Sequence, residues 1–272
     1  MAKLVAGSIG FDMTAIDFND MNTGVINKET STVIDLTGSS GTDYHFTGIN
    51  FKYNGPFPQS GTLQGFTFTD QHGHIEVTVT GGSMPITDAF NFFEHNDVQG
   101  FETEFFKGND TLTGGAGKDV LEGFAGNDVI TGGGGADTLD GGKGHDVFVY
   151  GAASDSTSTQ FDTINGIDFR NGDTTSDKLK LPFAVQAINT EVITGKLSLS
   201  TFDSQLAHII NSNKLGANDA VLFDPSSGGE KGQIFLIIDA NGTPGYQAGQ
   251  DIVIHLTNAA HLSNLDTSDF TT

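Results

Sequence analysis

The chain has 272 residues, with 34 Asp and Glu against 12 Lys and Arg, a formal charge of −22, and no cysteine. A surface this acidic is repelled by nucleic-acid backbones and anionic bilayers, and the missing thiols exclude disulfides, Cys-ligated zinc and thiol catalysis. Twenty-two Phe supply the apolar mass of a folded core, and no apolar run reaches the roughly 18 residues of a membrane span.

Residues 1–8 lack the apolar stretch of a cleavable signal, so export would need another address. As far as about residue 100, aromatic and β-branched residues alternate with polar ones, the period of half-buried strands. The clearest runs are 46–53, 63–69 and 74–80, with turns at Asn54-Gly55-Pro56 and Gln71-His72-Gly73. Phe46, Phe51, Phe66 and Phe68 read as core, with an aromatic sugar platform as the alternative. Thr87 is a candidate N-cap for one or two short helices running to Phe106.

From Gly108 the chain repeats every nine residues. Asp110, Asp119, Asp128, Asp137 and Asp146 fall in step, and two positions after them come Leu112, Leu121, Ile130, Leu139 and Phe148. Each unit predicts a Gly-rich turn ending in Asp, then a three-residue strand whose middle side chain points inward. Two units make one turn of a right-handed parallel coil, so acids eighteen apart stack: Asp110 with Asp128, Asp119 with Asp137, Asp128 with Asp146. Asp155 continues the frame, but without the glycines.

Beyond the repeats, 162–169 and 177–181 predict strands around a polar turn. Ser200 opens a helix with Asp203 in its first turn and Leu206, Ile209 and Ile210 on one face, closing at Gly216. Residues 220–223, 233–238 and 251–256 predict strands, the last two flanking a hairpin connection at 241–245. The expected fold is all-β: an antiparallel N-terminal module over 1–105, a right-handed parallel β-roll over 106–155, and a β-rich C-terminal cap with one or two short helices over 156–272.

The repeat suits a hard cation. Ca²⁺ takes roughly six to eight oxygens in irregular geometry, whereas Mg²⁺ demands a tighter octahedron. Glycines let carbonyls converge, and each Asp supplies charge. Candidate ligands are Asp110, Gly115, Gly117, Asp119, Gly126, Asp128, Gly133, Gly135, Asp137, Gly142, Gly144 and Asp146, for about three calcium ions or more. Stacked carboxylates repel and three-residue strands bury little apolar area, so ion binding becomes folding free energy.

Segments 114–121, 132–139 and 141–148 resemble the repeats-in-toxin (RTX) family, with Phe124 standing for the second glycine of the unit between them. Asp162-Thr163-Ile164, Asp168-Phe169, Asp177-Lys178-Leu179, residues 235–242 and residues 265–270 resemble the C-terminal region of serralysin-like, type I secreted members. The resemblance implies an uncleaved C-terminal signal read by an ABC exporter and an outer-membrane channel. It further implies a secreted, extracellular or cell-surface protein that passes the channel unfolded where calcium is scarce. The ending Phe270-Thr271-Thr272 departs from a hydrophobic tail.

Residues 1–105 resemble no family of known activity. The sequence contains neither HExxH nor GxSxG. His72 and His74, with His45 and His95, are candidates for a haem or metal site, against solvated imidazoles. Glu94, Glu102 and Glu104, or Asp70 and Glu76, are candidate glycosidase acids, and solvated acids on a polar face are the favoured reading. Asp239 and Asn241 open like a calcium loop, but Gly242 and Pro244 break the order, which favours a hairpin turn. Three functions stay open: a non-enzymatic surface or matrix protein binding a cell-surface or polysaccharide ligand, an extracellular enzyme, or a haem or metal scavenger.

Overall fold

A computed structural model describes residues 2–7, 13, 25–30, 32–37, 40–53, 58–69, 75–170 and 176–272. The turns expected at 54–56 and 71–73 lie outside the described residues, and so do Asp70, His72 and His74.

The first part contains β1 (Lys3–Ala6), β2 (Val25–Glu29), β3 (Val33–Thr37), β4 (Asp43–Tyr53), β5 (Pro58–Thr69), β6 (Ile75–Thr80) and β7 (Met84–Pro85), then α1 (Ile86–Glu94) and α2 (Val98–Phe105). Strands β2 to β6 form an antiparallel meander, and β1 pairs with β6. Alternation puts Tyr44, Phe46, Phe66, Phe68, Val77 and Val79 on the inner face, all buried. Phe51 is buried as well. The helices cover that face with aromatics: Phe93 lies 5.5 Å from Phe46, and Phe101 lies 5.7 Å from Phe66. The phenylalanine-rich composition is thus spent on one sheet-to-helix interface. Helix α1 starts one residue before Thr87, with Pro85 at the N-cap position, because the proline ring fixes the backbone just outside the helix. Asp97 caps α2 by accepting the Gly100 N–H at 2.9 Å.

The repeats form β8 (Thr111–Thr113), β9 (Val120–Glu122), β10 (Val129–Thr131), β11 (Thr138–Asp140) and β12 (Val147–Val149). Leu112 pairs with Ile130, Ile130 with Phe148, and Leu121 with Leu139, all in parallel register eighteen residues apart. Odd and even units therefore build two facing sheets, and the five central side chains meet between them at 0–1% exposure.

Two further strands extend the stacks, β13 (Asp162–Asn165) on β11 and β14 (Lys178–Lys180) on β12. They do not flank one turn as expected, because each continues a different sheet. The C-terminal part adds β15 (Ile188–Lys196), α3 (Phe202–Ile209), β16 (Ala220–Ser227), β17 (Ile234–Ile238), β18 (Ile252–Thr257) and β19 (Phe270–Thr271). Helix α3 is shorter than expected and stops well before Gly216. The Asn213 N–H turns to the Asn211 side chain, and the Ile210 carbonyl accepts from Tyr246, so the local polar groups leave the helical ladder.

Among the described residues the strands join two sheets. One runs β19-β14-β12-β10-β8-β1-β6-β5-β4-β3-β2, with β7 on β5, and the other runs β15-β16-β17-β18-β13-β11-β9. Strand β1 joins the meander to the roll, antiparallel to β6 and parallel to β8. No helix among the described residues is long and apolar enough to cross a membrane.

Candidate metal centre

Each repeat strand is preceded by its Asp, so parallel stacking carries the acids up the two edges of the roll. The contacts are regular. Asp128 Oδ1 accepts the Asp110 N–H at 2.7 Å, Asp146 Oδ1 accepts the Asp128 N–H at 2.8 Å, and Asp137 Oδ1 accepts the Asp119 N–H at 2.8 Å. All five aspartates are 0–2% exposed. The pattern starts before the first repeat, where Asp110 Oδ1 accepts the N–H of Ala2 next to β1.

It also continues past the last glycine. Asp162 Oδ1 accepts the Asp137 N–H and Asp177 Oδ1 accepts the Asp146 N–H, both at 2.9 Å, across separations of 25 and 31 residues rather than 18. Asp155, which keeps the nine-residue frame, does not take this place. Its Oδ2 accepts N–H groups from Gly151 and Ala152 within its own turn. Sequence spacing misses Asp162 and Asp177; the signal that finds them is an apolar residue two positions on, Ile164 and Leu179, each fully buried.

The second carboxylate oxygen decides the chemistry. Oδ2 of Asp128, Asp137 and Asp146 is buried without a hydrogen-bond partner, whereas the buried Tyr150 hydroxyl lies beside the Asp162 carboxyl. A buried anionic oxygen with no donor is costly, and a cation resolves the cost. The glycines bring more oxygen. A Cβ on Gly144 would sit 1.5 Å from the Gly126 carbonyl oxygen, and one on Gly133 would sit 2.2 Å from that of Gly115. Gly135 stands likewise over the Gly117 carbonyl, and Gly142 over that of Phe124. Among the described residues no three His, Asp or Glu side chains gather at one point. Most oxygens around an ion would therefore be backbone carbonyls, an all-oxygen donor set that suits a hard divalent cation.

Burial pushes the Asp128 carboxyl up to about 7 and Asp162 up to about 8, and the charges of stacked neighbours add to it. Asp137 and Asp146 rise to about 6 for the same reasons. Without a cation the ladder resists full ionisation at neutral pH.

Residues 107–123 and 122–156 match the family pattern of the RTX calcium-binding nonapeptide repeat, in four copies. Residues 107–156 form an RTX β-roll. RTX repeats bind calcium, and the donor set of the ladder fits that ion. No curated protein matches the chain. Among solved structures, the solution structure of the AlgE6R3 subunit from the Azotobacter vinelandii mannuronan C5-epimerase shares 21% identity over 60% of this chain and 73% of that one, with a TM-score of 0.34. That likeness is too loose to bear on the site.

One RTX unit departs from the glycine pattern. Phe124 holds φ +63°, a left-handed conformation that costs a non-glycine residue about 1–2 kcal/mol. Its ring stacks on Phe106 at 6.4 Å, so the substitution ties the roll to the end of α2.

The other candidate residues do not converge. His45 pairs with Asp35, and His95 Nδ1 lies 2.7 Å from the Asn91 carbonyl in its own helix. Glu94 is exposed and Glu104 pairs with Lys107, whereas Glu102, expected among the solvated acids, is buried at 5% exposure on the inner side of α2. Asp239 is also buried, and it accepts N–H groups from Asn218, Asn241 and Gly242. Those bonds hold the 239–251 connection, which is longer than a tight hairpin.

Proposed function

We propose that this chain is a secreted protein whose RTX roll folds on calcium outside the cell, and that residues 1–105 act there as a non-enzymatic binding or adhesion module. In this reading the ligands are Asp110, Asp119, Asp128, Asp137 and Asp146 with carbonyls of the intervening glycines, and Asp162 and Asp177 complete the last turns. Residues 156–272 cap the roll and carry a type I export signal. The division into 1–105, 106–155 and 156–272 follows the change from meander to roll to cap.

The observation that carries the reading is the row of buried carboxylate oxygens without donors. Extracellular calcium modules bind at roughly 10⁻⁴–10⁻³ M, so the sites would stay empty in the cytosol and fill outside. That sequence keeps the chain threadable during export and shaped afterwards.

The test is isothermal titration of the full chain with CaCl₂, repeated with Asp128→Asn and Asp137→Asn. The reading expects saturable uptake weakened in both variants. Absence of uptake would overturn it. Appearance of the chain in culture medium only when a type I exporter is coexpressed tests the secretion half.

A further inference from the structure

The C-terminal sheet has a second feature unrelated to the calcium ladder. On β16, alternation turns Val221 and Phe223 toward α3, while Ala220, Leu222 and Asp224 face the other way, toward the main core. Ala220 and Leu222 are buried there. Asp224 breaks the alternation with a charge where an apolar side chain is expected. Its neighbours do not compensate. It lines a cavity of about 340 Å³ with Ile188, Leu222, Ile234, Leu262, Ser263 and Leu265, and no side chain of a described residue pairs with it.

The cavity lies between the inner face of β15, β16 and β17 and the turn at Leu262–Asn264. Its volume falls at the low end of small-molecule sites, which are mostly apolar with one or two polar groups fixing orientation. At ~30 Å³ per water-sized group, it admits an apolar body on the order of ten non-hydrogen atoms. One carboxylate and the Ser263 residue beside it are too few oxygens for a metal shell, but the carboxylate can pair with one ammonium group.

We propose that this cavity binds a small organic cation, an alkyl- or arylalkyl-amine whose body fills the apolar space and whose ammonium meets Asp224. The chain's charge of −22 draws cations to its whole surface. The distinguishing property is therefore the joint requirement for an apolar body and this one carboxylate. An isosteric alcohol keeps the body and loses the ion pair, and an isosteric acid meets repulsion.

The test uses the full chain in excess calcium, with phenethylamine, 2-phenylethanol and phenylacetate as probes and methyl-resolved NMR as readout. Phenethylamine should shift the methyl signals of Ile188, Leu222, Ile234 and Leu262, binding roughly fivefold or more tighter than the alcohol, with the acid weakest. Asp224→Asn should bring the amine down to the alcohol's affinity, and Ile234→Phe, which fills the cavity and keeps the charge, should weaken both. Equal binding of amine and alcohol, unchanged amine binding in Asp224→Asn, or no shift of those methyls would overturn the proposal.

Discussion

At the scale of single residues, the roll depends on atoms that the glycines leave out and on charges that the aspartates cannot keep alone. Gly144 has φ +147° and stands directly over the Gly126 carbonyl, whereas Gly134 has only ordinary contacts, 3.8 Å from Ala116. Gly144→Ala should therefore cost more than about 3 kcal/mol of calcium-bound stability, and Gly134→Ala less than about 1 kcal/mol. Thermal melts in excess calcium check the contrast. Replacing a ladder acid should act oppositely on the two states. Asp137→Asn removes a buried charge that the calcium-free fold resists and a ligand that the loaded fold needs. Its melting temperature should fall in calcium, and in EDTA it should hold residual roll structure to a higher pH than the parent chain does. The same logic sets the pH dependence. Folded-state values near 6 to 8 lie above the ordinary carboxylate value of 3.8, so the calcium-free fold keeps this stability below about pH 4 and loses it as pH rises through 6 to 8. In EDTA, circular dichroism should show the roll losing structure as pH rises from about 4 to 8, and calcium uptake in that window should release protons.

At the scale of elements, the roll was legible because its signal is periodic, and the elements around it were legible to the extent that theirs were. Each nonapeptide repeats one Asp and one apolar residue at fixed phase, and those residues stack as their spacing demands. The aromatic alternation of 46–53 and 63–69 placed β4 and β5 for the same reason. Asp162 and Asp177 were not legible as members of the ladder. The insertions before them break the eighteen-residue period, and only tertiary pairing of β13 on β11 and β14 on β12 restores the stack. Helix ends were also obscure, since Pro85 displaced Thr87 at α1 and the Asn211 turn stopped α3 early. If the ladder extends as the hydrogen bonds indicate, Asp162→Asn should weaken the carboxyl-terminal turns selectively. Amide exchange in limiting calcium should then accelerate in β11 and β13 while β8 and β10 stay protected.

At the scale of the molecule, calcium in the roll reaches the meander through β1. This strand pairs with β6 on one side and β8 on the other, its Leu4 is 1% exposed, and Ala2 donates to Asp110. Ordering the first acid therefore orders the strand that joins the two parts. Amides of β1 and β6 should lose protection when calcium is removed, although no repeat acid lies on either strand. The decisive property is whether the roll has a shape of its own without the ion. Hydrogen–deuterium exchange over β8 to β12 of the full chain, in EDTA and then in millimolar calcium at pH 7.5, tests this most directly. Near-complete exchange within seconds in EDTA and strong protection in calcium are expected. Equal protection in both would contradict a roll shaped by calcium.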